Sequence, residues 1–249
     1  MKQLPLYLLL LCFVLSFSAT VHAEDKNSQQ QNKTLDVQVS VKLNYLLYLP
    51  EDYEKQESWP VLLFLHGSGE RGDDLEKVKF HGPPKLIEQG KEFPFIVVSP
   101  QCPEGYWWEP IELIALLDEI NSNYNVDETR IYVTGLSMGG FGSWRLAAYA
   151  PDRIAAIAPI CGGGEPYWAK RIGPVPVWAF HGAKDTGVPP ERSLVMIDAL
   201  NKVKANPKFK AGDNPTPKIT IYPEARHDSW SETYNNPELY KWFLQQKKN

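Results

Sequence analysis

One stretch of the sequence, residues 131–140, constrains the fold more than any other. Its first four residues are β-branched or aromatic and favour a strand. A Gly-Leu-Ser-Met-Gly turn at residues 135–139 follows, and then a helix-like run at 141–150 that ends before Pro151. A G-x-S-x-G turn between strand and helix predicts a nucleophile elbow, in which the Ser137 hydroxyl stands above the end of a strand. Side chains at Gly135 or Gly139 would collide with neighbouring backbone where the chain doubles back.

Apolar runs and helical patterns alternate along the rest of the chain. Alternating residues at 35–41 and a second run at 43–49 predict an antiparallel hairpin. The run at 61–65 that follows is continuously apolar, as in a strand buried on both faces of a parallel sheet. We therefore predict an α/β protein with three layers, a mostly parallel sheet preceded by the N-terminal hairpin, and a single domain over residues 35–249. The predicted later strands are 61–65, 95–99, 131–134, 154–160, 176–180 and 217–222, and the helices are 85–89, 110–124, 141–150, 190–204 and 237–246.

Composition excludes some classes of function. The chain has 249 residues, of which 43% are hydrophobic and 22% are charged, enough for one core of α/β size. The net charge of −4 and the lack of a basic stripe give no basis for nucleic-acid binding.

The first residues resemble a targeting segment. Lys2 gives a positive start, residues 4–14 are apolar but short for a membrane span, and residues 21–23 (Val-His-Ala) offer small residues for cleavage. We predict a signal peptide over residues 1–23, a polar, disordered lead-in over 24–34, and no stable membrane insertion after cleavage. Leu11 argues against lipidation at Cys12, because such a site needs a small residue directly before the cysteine. The mature protein is expected to be exported, either periplasmic or secreted.

Cleavage would leave two cysteines, Cys102 and Cys161. An oxidising compartment favours a bridge between them. The topology, however, places them after strands that are not neighbours, and a disulfide needs Cα atoms within about 7 Å. We expect two buried thiols, with the bridge as the alternative.

The predicted nucleophile needs two partners. A serine hydroxyl is a poor nucleophile near neutral pH unless a base takes its proton. His227 follows the last predicted strand, on a loop that can place its ring over Ser137. Asp185 follows the strand at 176–180 and can hold the imidazole in the required tautomer, whereas Asp228, adjacent to His227, would usually point away from that ring. We predict Ser137, Asp185 and His227 as the catalytic residues.

The other histidines of the mature chain have different predicted roles. His66 and His181 each precede a glycine at a strand end, and we expect both to hold loops by hydrogen bonds. His81 has no predicted strand before it and is expected to be exposed.

An acyl-transfer site also needs backbone donors for the oxyanion of the tetrahedral intermediate, and loss of one such donor costs about 3 kcal/mol. The N–H of Met138, directly after the nucleophile and at a helix start, is one candidate. The second is expected in the glycine-rich loop after residue 65, from Ser68, with Gly69 as the alternative.

These motifs together resemble the α/β-hydrolase superfamily over the whole predicted mature chain, including the triad order Ser137, Asp185, His227. The segments 65–72, 99–103 and 227–230 are similar to exported dienelactone-hydrolase-like and feruloyl-esterase-like enzymes, related to carbohydrate esterase family one. Members are often labelled predicted peptidases because of a distant similarity to prolyl oligopeptidase. The resemblance implies ester hydrolysis through an acyl-enzyme, with no metal and no organic cofactor.

The resemblance also suggests a substrate pocket, and it leaves alternatives open. The substrate would be a small-molecule or polysaccharide-linked ester, such as a feruloyl or acetyl ester of plant cell wall. A small serine peptidase and an inactive, carbohydrate-binding hydrolase fold are the alternatives, although the sequence shows no propeller domain or long lid insertion typical of the peptidases. Four loop tryptophans are expected to line the pocket or else to cap the core: Trp107, Trp108, Trp168 and Trp230.

Overall fold

The computed structural model describes residues 32–38, 40–206 and 215–248. The chain divides into two units, Met1–Ser40 and Val41–Asn249. In the first unit, the described residues form neither helix nor strand. The predicted signal peptide and most of the predicted lead-in lie outside the described residues, so both stay predictions.

The second unit is built on one sheet of seven strands in the order β1-β3-β2-β4-β5-β6-β7. Strands β2 to β7 run parallel to their neighbours, and β1 pairs with β3 in the antiparallel sense. The predicted mostly parallel α/β sheet is thus confirmed. The strands are β1 (Tyr45–Tyr48), β2 (Trp59–Leu65), β3 (Ile96–Pro100), β4 (Val126–Leu136), β5 (Ala156–Ile160), β6 (Trp178–Gly182) and β7 (Lys218–Tyr222).

Helices cover both faces of this sheet, as strands with continuous apolar runs require. Along β2, Leu63 and Leu65 pack in a core with helices α2 to α5, whereas Leu62 and Phe64 pack in a second core with α1, α6 and α7. This gives the three predicted layers. The helices are α1 (Gly82–Glu88), α2 (Pro110–Asn123), α3 (Met138–Tyr149), α4 (Ala169–Ile172), α5 (Glu191–Ala205), α6 (Trp230–Asn235) and α7 (Pro237–Leu244). None of the described helices combines the length and apolar character that a membrane crossing needs.

The predicted N-terminal hairpin is wrong in its first strand. The described residues between 35 and 41 form no strand, and β1 pairs instead with β3, with Tyr45 opposite Pro100. Alternation in the sequence is a local signal, whereas the pairing partner of an edge strand depends on the rest of the sheet. Two short helices, α4 and α6, were not expected from the sequence, and β4 begins at Val126 rather than at the predicted residue 131.

Candidate active site

Ser137 lies at the junction of β4 and α3, in the predicted strand–turn–helix setting. Its backbone angles are φ 52° and ψ −116°, a region that residues with side chains rarely occupy. In this turn, neighbouring backbone segments come into contact and leave no space for a side chain at either glycine. A Cβ added at Gly139 would lie 1.8 Å from the Leu65 carbonyl oxygen, and one added at Gly135 would lie 2.5 Å from the Gly139 carbonyl oxygen. The two glycines are thus required for the reason expected from the sequence.

The structure brings the three predicted catalytic side chains together. His227 Nε2 lies 2.9 Å from Ser137 Oγ, and His227 Nδ1 lies 2.7 Å from Asp185 Oδ2. Asp185 follows β6 and His227 follows β7, so the carboxyl ends of three parallel strands supply the three groups. With Nδ1–H donating to the carboxylate, Nε2 is the nitrogen that can accept a proton from the serine.

Backbone groups fix the Asp185 carboxylate. Its Oδ1 accepts hydrogen bonds from the N–H groups of Gly187 and Val188, both at 2.9 Å, and the side chain is fully buried. Burial alone would raise the pKa of Asp185, but the hydrogen bonds from His227 and from this backbone lower it below its usual value. The carboxylate is therefore charged and has one fixed orientation, with Oδ2 facing the imidazole.

A second histidine touches the same carboxylate. His181, expected only to hold a loop, is fully buried, and its Nε2 lies 2.8 Å from the Val188 carbonyl and 3.3 Å from Asp185 Oδ2. Its Nδ1 is hydrogen-bonded to Ser193 Oγ at 2.8 Å, and that hydroxyl donates to the Gly162 carbonyl. Burial lowers the pKa of His181, against the pull of Val188 and Asp185. This contact could not be predicted from the sequence. Residues four apart are neighbours in a helix, but His181 and Asp185 do not lie in one.

His66 holds the loop after β2, as expected. Its Nε2 accepts a hydrogen bond from the Cys102 N–H at 3.0 Å, and Nδ1 donates to the Gly67 carbonyl at 2.6 Å. Burial lowers the pKa of His66 to about 4. Trp108 donates its indole N–H to the His66 carbonyl, and the ring packs edge-on against the imidazole. Because only a neutral imidazole can accept from Cys102, the loop depends on His66 staying unprotonated.

The candidate oxyanion donors flank the elbow. Met138 is the first residue of α3, where N–H groups lack acceptors within the helix. Ser68 begins a 3₁₀ turn, Ser68–Glu70, directly after β2, and Gly69 lies in the middle of that turn. The Gln101 side chain, which is buried, donates to the carbonyls of Glu70 and Asp74 at 2.8 Å each and so ties this loop to the end of β3.

Both cysteines are free and buried, which confirms the expected pair of thiols. Burial raises the pKa of Cys161 to about 12 and that of Cys102 to about 11, so both are thiols near neutral pH. Cys161 has φ 40°, and its Sγ accepts a hydrogen bond from the Ser137 N–H at 3.2 Å. The Cys161 side chain thus helps to hold the backbone of Ser137 in place, a role that could not be predicted from the sequence.

Three of the four predicted tryptophans border one cavity of about 160 Å³. Trp107 is half-exposed and packs edge-on against Phe141, one turn along α3 from Ser137. Trp168 borders the same cavity and packs against the core, whereas Trp108 is almost fully buried. Gly142 and Gly163 also line this space, which we call the Trp107 cavity.

Trp230, the fourth, lies elsewhere. Its ring packs edge-on against His227, with the centroids 5.4 Å apart, and it packs in a tilted arrangement against His81, with the centroids 5.3 Å apart. His81, expected to be exposed, is about two-thirds buried, and its Nε2 lies 3.7 Å from Glu70 Oε1. The structure therefore separates the tryptophans into two groups, and it adds His81 and Glu70 to the surroundings of the site.

Comparisons with known proteins agree with this fold. A family model described as "Putative esterase" matches residues 87–214, just over half of the chain. A solved structure described as a thermostable esterase superposes with a TM-score of 0.68 at 32% identity, covering 85% of this chain and 61% of that one.

Two curated relatives are also similar. The bifunctional acetylxylan esterase/xylanase XynS20E of Neocallimastix patriciarum is 29% identical over 134 residues, which are 51% of this chain and 19% of that protein. A probable feruloyl esterase C of Aspergillus niger is 22% identical over 227 residues, 88% of this chain and 80% of that protein. The match to XynS20E thus covers about a fifth of that longer protein.

Proposed function

This chain belongs to the esterase family whose model it matches, and on that premise we propose that it cleaves carboxylic esters by a serine mechanism, through an acyl-enzyme. The observation that carries the proposal is the hydrogen-bonded series Asp185–His227–Ser137, with distances of 2.7 and 2.9 Å. A hydroxyl, an imidazole and a buried carboxylate in this order are what nucleophilic acyl transfer requires.

In the proposed first step, Ser137 Oγ attacks the ester carbonyl carbon while its proton passes to His227 Nε2. Asp185 holds the Nδ1–H and stabilises the imidazolium that forms. The carbonyl electron pair moves to the oxygen, and the resulting oxyanion is bound by the N–H groups of Met138 and Ser68.

In the next steps, the tetrahedral intermediate collapses and the C–O bond to the alcohol breaks. The leaving alcohol takes the proton from His227 Nε2, and the acyl group stays on Ser137. A water molecule, deprotonated by the same nitrogen, then attacks the acyl-enzyme and releases the acid. His227 serves first as a base, then as an acid, and then in both roles again for the water.

For the substrate, we propose feruloyl or acetyl esters of plant polysaccharide. Two observations support this class. The relatives include proteins named as a feruloyl esterase and as an acetylxylan esterase. In addition, the Trp107 cavity has aromatic walls beside the first turn after Ser137, where a flat acyl group can stack on Trp107 or Phe141.

Export of the mature protein is part of the proposal. It is supported by the positive start at Lys2 and by the apolar run at residues 4–14. The proposed partner is the ester substrate alone, without nucleic acid.

A short-chain nitrophenyl ester gives the first test. We expect wild type to release nitrophenol and to be labelled by a fluorophosphonate probe, and Ser137→Ala to do neither. Equal inertness of wild type and Ser137→Ala contradicts the proposal. Faster cleavage of chromogenic peptides than of matched esters would instead favour the peptidase alternative.

A panel of feruloyl, acetyl and alkyl esters of one alcohol then identifies the acyl group. If the aromatic cavity binds this group, Trp107→Ala should lower kcat/KM for the feruloyl ester more than for the acetyl ester. A uniform loss across the panel would argue against stacking on Trp107.

A further inference from the structure

Ser193 is a fully buried serine in the first turn of α5, a helix that contributes no residue to the proposed triad. Its Oγ lies 2.8 Å from His181 Nδ1 and 2.9 Å from the Gly162 carbonyl oxygen. His181 lies at the end of β6, against Asp185, and Gly162 follows β5, against the first turn of α3. One hydroxyl therefore joins the segment beside the acid to the segment beside the nucleophile.

On one side, Ser193 sets the orientation of the His181 ring. His181 Nε2 lies 2.8 Å from the Val188 carbonyl and 3.3 Å from Asp185 Oδ2, and both of these oxygens are acceptors. Burial lowers the pKa of His181, so the neutral ring has one hydrogen, which belongs on Nε2. Nδ1 is then an acceptor for the Ser193 hydroxyl, whose one hydrogen serves Nδ1 and the Gly162 carbonyl together, as in a three-centre hydrogen bond. This contact keeps an N–H group, and not a lone pair, against the catalytic carboxylate.

On the other side, Ser193 holds the backbone that supports the elbow. Gly162 follows Cys161, whose Sγ accepts a hydrogen bond from the Ser137 N–H at 3.2 Å. The Gly162 backbone also touches the first turn of α3, because a Cβ added at Gly162 would lie 2.6 Å from the Gly140 carbonyl carbon. A shift of the Gly162 carbonyl is therefore transmitted to the turn that carries the nucleophile.

Two residues next to this contact have a strained backbone. Among the described residues other than glycine, Ser137 and Cys161 alone have positive φ, at 52° and 40°. Conformations of this kind are energetically costly and persist only where surrounding contacts hold them. The hydrogen bond from Ser193 to Gly162 is one such contact, because it fixes the carbonyl that directly follows Cys161.

We propose that Ser193 is a positioning residue of the reaction. Through His181 it orients the catalytic carboxylate, and through the Gly162 carbonyl it holds the turn that carries the nucleophile. The span that His227 bridges is thus fixed at both of its ends before the ester binds. The inference rests on the proposed serine mechanism and extends it to a helix that supplies none of the three catalytic groups.

The test uses two variants of the same shape, Ser193→Thr and Ser193→Val, in which only the first keeps the hydroxyl. We expect kcat for the nitrophenyl ester to be at least about fivefold lower in Ser193→Val than in Ser193→Thr, the effect of one buried hydrogen bond. KM should be equal in the two, because the Ser193 side chain is fully buried and does not face the substrate. Ser193→Ala, which adds no volume, should show the same loss against wild type. Thr220→Val, which removes a hydroxyl bonded to the Trp178 indole on β6, is the matched control with an unchanged kcat.

A double-mutant cycle tests whether Ser193 acts through His181. In the His181→Phe background, the contact of the imidazole with the carboxylate is already lost. The factor by which Ser193→Ala lowers kcat should therefore be at least about twofold smaller in that background than in wild type. Melting temperatures show that each variant is folded.

Equal kcat in Ser193→Val and Ser193→Thr, or the same loss in both backgrounds of the cycle, overturns the inference and leaves the proposed function standing. A lower melting temperature of Ser193→Val with kcat preserved assigns Ser193 to packing alone and also overturns the inference. If wild type and Ser137→Ala are equally inert towards every ester, the inference and the proposed function are both overturned.

Discussion

Replacement of Asp185 by asparagine tests the proposed mechanism, because it changes which nitrogen of His227 carries the imidazole hydrogen. In the structure, the N–H groups of Gly187 and Val188 both donate to Oδ1. In the Asp185→Asn variant, the amide oxygen must therefore occupy the Oδ1 position, and the NH₂ group must face His227 Nδ1. Turning the amide around would set its NH₂ against two N–H groups, at a cost of about 1–3 kcal/mol for each unpaired group.

The consequence is a change of tautomer at the base. An NH₂ group that donates to Nδ1 moves the imidazole hydrogen to Nε2, which then faces the Ser137 hydroxyl and cannot accept its proton. We expect kcat to fall by about 10⁴, which corresponds to about 5 kcal/mol of lost transition-state stabilisation. KM should change little, because Asp185 is buried behind the imidazole and does not face the substrate.

The assay is steady-state hydrolysis of a nitrophenyl ester, with melting temperatures to show that the variant is folded. Asp228→Asn is the matched control: this aspartate is exposed, adjacent to His227 in sequence, and outside the proposed relay. If Asp185→Asn keeps kcat within about tenfold of wild type while folded, the assignment of Asp185 is refuted.

Three further predictions concern buried groups near the site. Gly139→Ala should lower the free energy of unfolding by about 3 kcal/mol, the upper end of the usual cost of overpacking, because its Cβ meets the Leu65 carbonyl; a urea midpoint equal to that of wild type contradicts this. His181→Phe should lower kcat about 10- to 100-fold with KM unchanged, since Asp185 loses a polar neighbour; partial recovery of kcat in His181→Gln separates positioning from packing. The pKa of His66 is lowered to about 4 from 6.5, so the stability that this histidine contributes is complete above pH 6.5 and is lost as the pH falls towards 4. The expected change in the free energy of unfolding is about 3 kcal/mol. Urea titrations at several pH values measure this change, and His66→Gln should reduce it.

The sequence predicted the elements whose signals are local and strong. A continuous apolar run identified β2, because a strand buried on both faces needs no alternation. The elbow was predictable because the clash at Gly139 leaves few alternatives to glycine there. The carboxyl ends of parallel strands meet at one edge, so the approach of Asp185 and His227 to Ser137 followed from topology.

The features that the sequence did not predict depend on partners distant in the chain. Alternation at 35–41 is typical of a strand, but it does not say which strand is the pairing partner, and β1 pairs with β3 instead. α6 is a short polar segment without helical periodicity, and a cavity of about 220 Å³ lies between it and α1. His81 is partly buried because Trp230, distant from it in the sequence, packs on it and Glu70 lies 3.7 Å from its Nε2.

The tether formed by Gln101 has a consequence for the temperature dependence of the reaction. A loop anchored through two carbonyls to the end of β3 is already in place when the ester arrives, so little ordering remains for the moment of bond formation. Gln101→Ala would let the 3₁₀ turn fluctuate, and the activation entropy of acylation should then become more negative even where the rate at one temperature is nearly preserved.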